Sequence, residues 1–353
     1  MDSVIRRNLL LILPWMVILL FGIVLHPQEF ARASNDSNDS SPKFVTIVLG
    51  NTGGPREDSL SSYLLAPKGE NAFVALDAGT LLVGISNAIK MGSFGDISVP
   101  SDSPFNLEGW VHRHHIKSYL LSHSHLDHIA GLVLNAPYDS PKNILGISTT
   151  LDFLRDHIFN WKIWPNFSDE GNSRQLKTYH FVRLQPGQSH SIAGTSMTVE
   201  PFLLSHGNVN PSTAFLIQSK GYYTLYFGDT GPDEIEKSDR MEKVWSRVAG
   251  LVKSHKLRGV FLEISYPNDQ PDENLFGHLT PSWMFREVGQ LANKVDPLNS
   301  QSALRGLTIL ITHIKHPINR ARRPFEEIPK EVKAQNSLGL QVIFPLQGQR
   351  IEF

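Results

Sequence analysis

The stretch His123-Ser124-His125-Leu126-Asp127-His128 sets the strongest limit on how this chain can fold. It follows the apolar run Tyr119-Leu120-Leu121, so three histidines and an aspartate are delivered at the end of a buried strand. Residues two apart on an extended segment point the same way, which pairs His123 with His125, and a turn then brings Asp127 and His128 round to a second direction. One loop can therefore serve two neighbouring cations, with Gly131 giving the backbone room to turn away before Leu132, Val133 and Leu134 resume apolar packing.

Four ligands leave two ions short of a full shell, so the pattern predicts further His or Asp at strand ends downstream. His206 follows the run Pro201-Phe202-Leu203-Leu204, Asp229 ends the strand YYTLYFG, and His313 ends the strand LTILIT. The expected division is His123, His125 and His206 around one ion and Asp127, His128 and His313 around the other, with Asp229 bridging both. The chain has no cysteine, which removes thiolate zinc sites and leaves imidazole and carboxylate as ligands; zinc, manganese and iron all accept that set. His112, His114 and His115 have no apolar strand leading to them and are read as solvated, as are His26, His157, His180, His190, His255 and His316.

With 353 residues, 41% hydrophobic and 19% charged, the chain can bury a large core. A formal net charge of −1 gives no whole-molecule attraction to nucleic acid, so an anionic substrate needs a local attractor. Arg6 and Arg7 precede a 17-residue apolar run, Leu9 to Leu25, broken only by Pro14, and Ala31-Arg32-Ala33 places small residues where a signal peptidase cuts. Residues 1–33 thus read as a signal peptide, or alternatively an uncleaved N-terminal anchor, and the expected location is secreted or periplasmic. Residues 34–42 are a polar linker ending in proline, and 43–353 form one α/β domain. Asn166-Phe167-Ser168 matches a glycosylation triplet, as do two triplets in the linker. Strands are expected at 44–50, 73–79, 118–123, 213–219, 222–229, 259–265 and 307–313, with helices near 81–91, 151–160, 238–256 and 281–295, the last N-capped by Thr280.

The string HSHLDHIAGLVLNAP resembles the signature of the class II cyclic-nucleotide phosphodiesterases within the metallo-β-lactamase superfamily. GNTGGPREDSLSSYLL, ALDAGT, YFGDTG, LEISYPN, FGHLTP and ITHIKH carry the resemblance over roughly residues 44–316, and Asn135 stands where serine is common. The resemblance implies a four-layered αββα sandwich with the metals at one edge. It implies hydrolysis of 3′,5′-cyclic nucleotides, cAMP to 5′-AMP first among them, at two divalent ions, with zinc the leading choice, through a bridging hydroxide. His278, in the loop before Thr280, is the expected acid for the leaving oxygen. Glu263, a lone carboxylate in the apolar strand GVFLEIS, is expected to orient it, and Asp127 to serve the reaction as a ligand. Asn51, Gly53 and Gly54 are expected to meet phosphate. The expected partner is a small cyclic nucleotide, not a nucleic acid polymer, with a homodimer left open. The rival readings are an RNA phosphodiesterase of the tRNA 3′-processing type, a hydrolase of lactams, lactones or thioesters, and a non-catalytic metal-binding member of the fold.

Overall fold

Every residue of the strand Phe44–Gly50 is buried, yet its side chains enter two different cores. Phe44 and Val48 point one way and Val45, Ile47 and Leu49 the other, as the two-residue period of a strand requires. The same split recurs in Thr308–Thr312, where Leu310 joins the first of these cores while Ile309 and Ile311 face a third. Strands apolar on both faces must be covered on both faces, so the elements stack in four layers with three apolar seams between them. The computed structural model in which this is seen describes residues 41–207 and 211–353; the signal-like segment 1–33 and the linker as far as Ser40 lie outside the described residues.

Two seven-stranded mixed sheets form the inner layers. In the first, Arg350–Glu352, Phe44–Gly50, Ser62–Pro67 and Phe73–Leu76 run antiparallel in turn, and Ile116–Leu120, Lys142–Gly146 and Tyr179–Arg183 continue in parallel. In the second, Gln341–Ile343, Thr308–Thr312, Leu257–Glu263 and Tyr222–Phe227 are parallel, and Ser212–Ser219, Thr198–Leu204 and His190–Ser191 complete it antiparallel. Lys220 and Gly221 both take positive φ, which joins Ser212–Ser219 to Tyr222–Phe227 by a tight hairpin. Between the sheets Tyr63, Phe215, Tyr226, Phe261 and Leu310 interdigitate. The outer face of the second sheet is covered by Arg240–Lys253 and Pro281–Val295 through Trp245, Val248, Met284 and Leu291. Each such fully buried side chain contributes about 1.5–3 kcal/mol. Thr280 caps the second of these helices, accepting from Trp283 N.

The expected helices 81–91, 238–256 and 281–295 correspond to Leu82–Lys90, Arg240–Lys253 and Pro281–Val295, whereas 151–160 begins earlier, as Ser148–Phe153 continued by a wide turn Leu154–Ile158. Two readings are corrected. The residues after His125 do not turn away at Gly131; they form the helix Leu126–Asn135, and Gly131 sits within it. A Cβ there would stand 2.9 Å from Ala78 O and from Leu81 N, so glycine serves close approach between backbones and not a turn. His112 is not solvated: it is 1% exposed, on the short helical turn Val111–His115, near Tyr119 Oη and Asp139. Asn166 is also buried, with its amide donating to Glu170 O and Ser173 Oγ, so its triplet offers no accessible side chain in the folded protein.

Candidate metal centre and hydrolytic site

The carboxyl ends of the parallel strands from both sheets open on one edge of the sandwich, where α/β folds place ligands. Asp77 follows Phe73–Leu76, His123 and His125 lie between Ile116–Leu120 and the helix Leu126–Asn135, and Asp127 and His128 occupy that helix's first turn. His206 follows Thr198–Leu204, Asp229 follows Tyr222–Phe227, Glu263 ends Leu257–Glu263 and His313 follows Thr308–Thr312. A carboxylate in the first turn also faces the positive end of the helix, which suits Asp127.

These residues meet as two ligand sets, His123, His125, His206 and Asp229, and Asp127, His128, Asp229 and His313, each with its ligand atoms within 4.8 Å of one another. Asp229 belongs to both. Its carboxylate stands 3.2 Å from His313 Nε2, 3.3 Å from His128 Nε2, 3.7 Å from His123 Nε2 and 3.8 Å from His206 Nε2. Burial works to raise its pKa, but the imidazoles of His128 and His313 outweigh burial and hold it well below the usual carboxylate range.

The outer hydrogen bonds decide which nitrogen of each ring faces inward. Ser122 Oγ donates to Asp77 Oδ2 at 2.7 Å, so at 3.0 Å it is His123 Nδ1–H that donates to Ser122. His128 Nδ1–H donates directly to Asp77 Oδ2 at 2.7 Å. His206 Nδ1–H donates to Gly277 O at 2.8 Å, and His313 Nδ1–H to Ser265 Oγ at 2.9 Å, that hydroxyl being committed to Glu263 Oε2. Four imidazoles therefore turn Nε2 toward the same space as two carboxylates; burial opposes a charge on His128, but Asp229 and Asp77 outweigh it and raise its pKa well above the usual histidine range, so that ring holds a proton that a bound cation would displace. His123 Nε2 and His128 Nε2 are buried with no hydrogen-bond partner among the described residues. His125 Nδ1 faces His206 Nε2 at 3.2 Å, and burial followed by the His206 ring holds His125 down to about 4, so the ring is neutral near pH 7. A buried cluster of ring nitrogens and carboxylates converging on one space is costly unless positive charge, as a cation or as protons, occupies it. The donor set, nitrogen with carboxylate oxygen, fits zinc and its neighbours.

His278 lies beside this centre, its ring 4.8 Å from that of His206 and 5.1 Å from that of His313, with Nδ1 2.8 Å from Glu263 Oε1. Glu263 also accepts from Thr230 N and Ser265 Oγ. Burial, then the charge of Asp229, pushes Glu263 up to about 7, while burial depresses His278. The pair is set to hold one proton between them.

The turn after the first strand is spent largely within the protein. Gly54 N donates to Asp127 Oδ2 at 3.1 Å and Asn51 Nδ2 to Pro345 O at 2.6 Å. A Cβ on Gly53 would fall 2.4 Å from His313 Cε1, so this glycine makes room for the ring. Of the groups expected to meet phosphate, the Gly54 N–H and the Asn51 amide are thus already engaged in holding the site. Sequence reasoning missed Asp77, Ser122, Tyr226 and Ser265. Asp77 takes Ser122 N, Ser122 Oγ, His128 Nδ1 and Tyr226 Oη, and so fixes two rings at once. Its signal was available, since it is the one charged residue closing the apolar strand FVAL, the rule that located His206 and Asp229.

Two mixed sheets with a histidine–aspartate centre at the strand ends define a hydrolase of the metallo-β-lactamase fold. The crystal structure of unliganded yeast PDE1 has that fold in common with this chain, with a TM-score of 0.74 at 24% identity over 88% of this chain and 100% of that one. The metallo-β-lactamase fold protein YhfI from Bacillus subtilis follows at a TM-score of 0.55 and 17% identity, over 88% and 100%. The chain belongs to the class-II cAMP phosphodiesterases, whose family model it matches over residues 37–348. A 3′,5′-cyclic-nucleotide phosphodiesterase of Aliivibrio fischeri is 40% identical over 89% of this chain and 94% of its own length. A probable 3′,5′-cyclic-nucleotide phosphodiesterase of Yersinia pestis is 38% identical over 90% and 91%.

Proposed function

We propose that the protein hydrolyses the 3′,5′-cyclic phosphodiester of nucleoside monophosphates, cAMP to 5′-AMP first among them, using two divalent ions held by His123, His125, His206, Asp127, His128, His313 and the shared Asp229. The observation that carries this is the single carboxylate lying between two sets of inward-turned nitrogens in a phosphodiesterase family fold. When bound, the ions supply a water acidic enough to deprotonate near pH 7 and positive charge against the phosphoryl oxygens. The chain's residues then have three tasks. The strand ends hold the ligands at fixed separation, where a displacement of order 1 Å costs ~100-fold in rate. Asp77, Ser122, Ser265 and Gly277 keep each ring in the tautomer that leaves Nε2 unprotonated. His278, with Nδ1 committed to Glu263, delivers a proton from Nε2 to the departing 3′ oxygen as the phosphorus–oxygen bond breaks.

Incubation of purified protein with cAMP tests the reading: 5′-AMP should form, formation should stop with chelator, and zinc or manganese should restore it. Absence of turnover with both ligand sets metal-loaded would overturn it. Elemental analysis should find two ions per chain, with zinc as our choice. We place the enzyme outside the cytoplasm, from the Arg6-Arg7 pair, the apolar run and Ala31-Arg32-Ala33. N-terminal sequencing of material from its host should begin near Ser34; a start at Met1 would leave the anchor reading in its place.

A further inference from the structure

The helix Leu126–Asn135 is apolar on both sides. Ile129 and Leu132 pack into the core under the first sheet, as an amphipathic helix should. The other face carries Leu126, Ala130 and Leu134, at the i, i+4 and i+8 positions of one helical stripe, with Leu126 and Leu134 68% and 59% exposed, while Val133, 9% exposed, stands between that stripe and the core. A water-facing stripe of that kind on a surface helix marks a binding face.

That stripe is one wall of a cavity of about 890 Å³, within the size range of small-molecule sites. The loop 158–164 also lines it, through Ile158, Ile163 and Trp164. Trp161 N donates to Trp164 O, Trp164 N to Ile158 O, and the Asn160 carboxamide accepts from Lys162 N and Ile163 N, so the loop is held in shape by its own bonds. The cavity runs into the metal centre at Asp127 and Gly54, and Glu57 and Lys315 line it too, a carboxylate and an ammonium. The Lys315 ammonium makes no ion pair or hydrogen bond among the described residues.

We infer that this cavity holds the nucleoside of the substrate, with the base between the Leu126–Leu134 stripe and Ile163–Trp164, and that Lys315 takes the charge of the phosphate at the metal end. This rests on the function proposed above. The cavity is polar and charged at one end and apolar at the other, as is a cyclic nucleotide, whose anionic phosphate and flat base lie at opposite ends. Base stacking on an aromatic face is worth about tenfold or more in affinity.

The test compares cAMP with ribose 3′,5′-cyclic phosphate, which lacks the base. For the wild type, removing the base should raise KM by roughly a hundredfold, since an aromatic contact and an apolar wall are lost together. Trp164→Leu, Ile163→Ser and Leu134→Ser should each raise KM for cAMP about tenfold or less with kcat nearly kept, and should leave KM for the baseless compound unchanged. Ile163 and Leu134 are exposed, so those two variants fold whatever becomes of Trp164→Leu. Lys315→Met should raise KM for both compounds alike. If the wild type hydrolyses cAMP but the three apolar variants keep its KM, or weaken both substrates equally, the cavity does not hold the base. If the wild type does not hydrolyse cAMP at all, the functional reading fails first.

Discussion

Two buried histidine–aspartate clusters lie along the same stretch of chain, and they differ in what their partners leave over. Around Asp139, Tyr119 Oη donates at 2.7 Å, Tyr179 Oη at 2.9 Å and Lys142 Nζ at 2.6 Å, while His112 Nε2 stands 3.7 Å away. The Lys142 ammonium is completed by His112 O and Ser140 Oγ. Charges and donors balance, and the cluster asks for nothing further. Around Asp229, the Nδ1–H donors are turned outward to Asp77, Ser122, Gly277 and Ser265, and the atoms turned inward are the remaining ring nitrogens and carboxylate oxygens. Burial and titratable residues mark both clusters. Only the second has an excess of lone pairs, and that excess distinguishes a binding centre from structural scaffolding.

The largest effect that could break this contrast is on activity. Asp229→Ala should lower kcat/KM by about a thousandfold or more and remove bound metal, because it takes a ligand from both sets. Asp139→Ala should do the reverse: turnover per folded molecule and metal content are kept, while urea unfolding shows a loss of about 3–5 kcal/mol, since the Lys142 charge is left buried and alone. If Asp139→Ala lost metal, the two clusters would be one system. A smaller effect is expected one bond further out. Asp77→Asn should weaken metal affinity by about 10–100-fold, measured by competition with a calibrated chelator, because it frees the His128 ring and the Ser122 hydroxyl.

An effect on stability alone is the acid response of the structural cluster. Burial holds His112 down to about 4, with Asp139 opposing and Lys142 and Arg113 adding to the depression. The unfolded chain titrates near 6.5, so between these values it binds a proton that the folded one does not. Stability is therefore full above about pH 6.5 and is lost as pH falls toward 4, by at most about 3 kcal/mol. His112→Gln should flatten that part of the curve. Subtracting the variant from the wild type removes whatever slope the metal centre contributes, and an unchanged slope would show that His112 is not the group responsible.

The convergence of the candidate ligands was legible in the sequence for the reason that His112 was misread. A histidine or aspartate closing an apolar run sits at the end of a buried strand, and His123, His206, Asp229 and His313 all meet that description. His112 lies on a short helical turn with no such run, and its burial comes from Tyr119 and Asp139, the latter 27 positions away, which no local pattern reveals. Ser122 and Ser265 were invisible for a related cause, since a hydroxyl beside a strand end has no distinctive pattern until the ring it orients is in place. The helix Leu126–Asn135 was missed because His123 and His125 suggested an extended stretch and Gly131 a turn.

That helix makes substrate range and metal geometry mechanically inseparable. Leu126 adjoins Asp127, so any repacking of the stripe that shifts the helix by a fraction of an ångström also re-aims two ligands. An attempt to retune this enzyme toward another ring system should leave the helix alone and vary side chains of residues 158–164, which supply none of the candidate ligands.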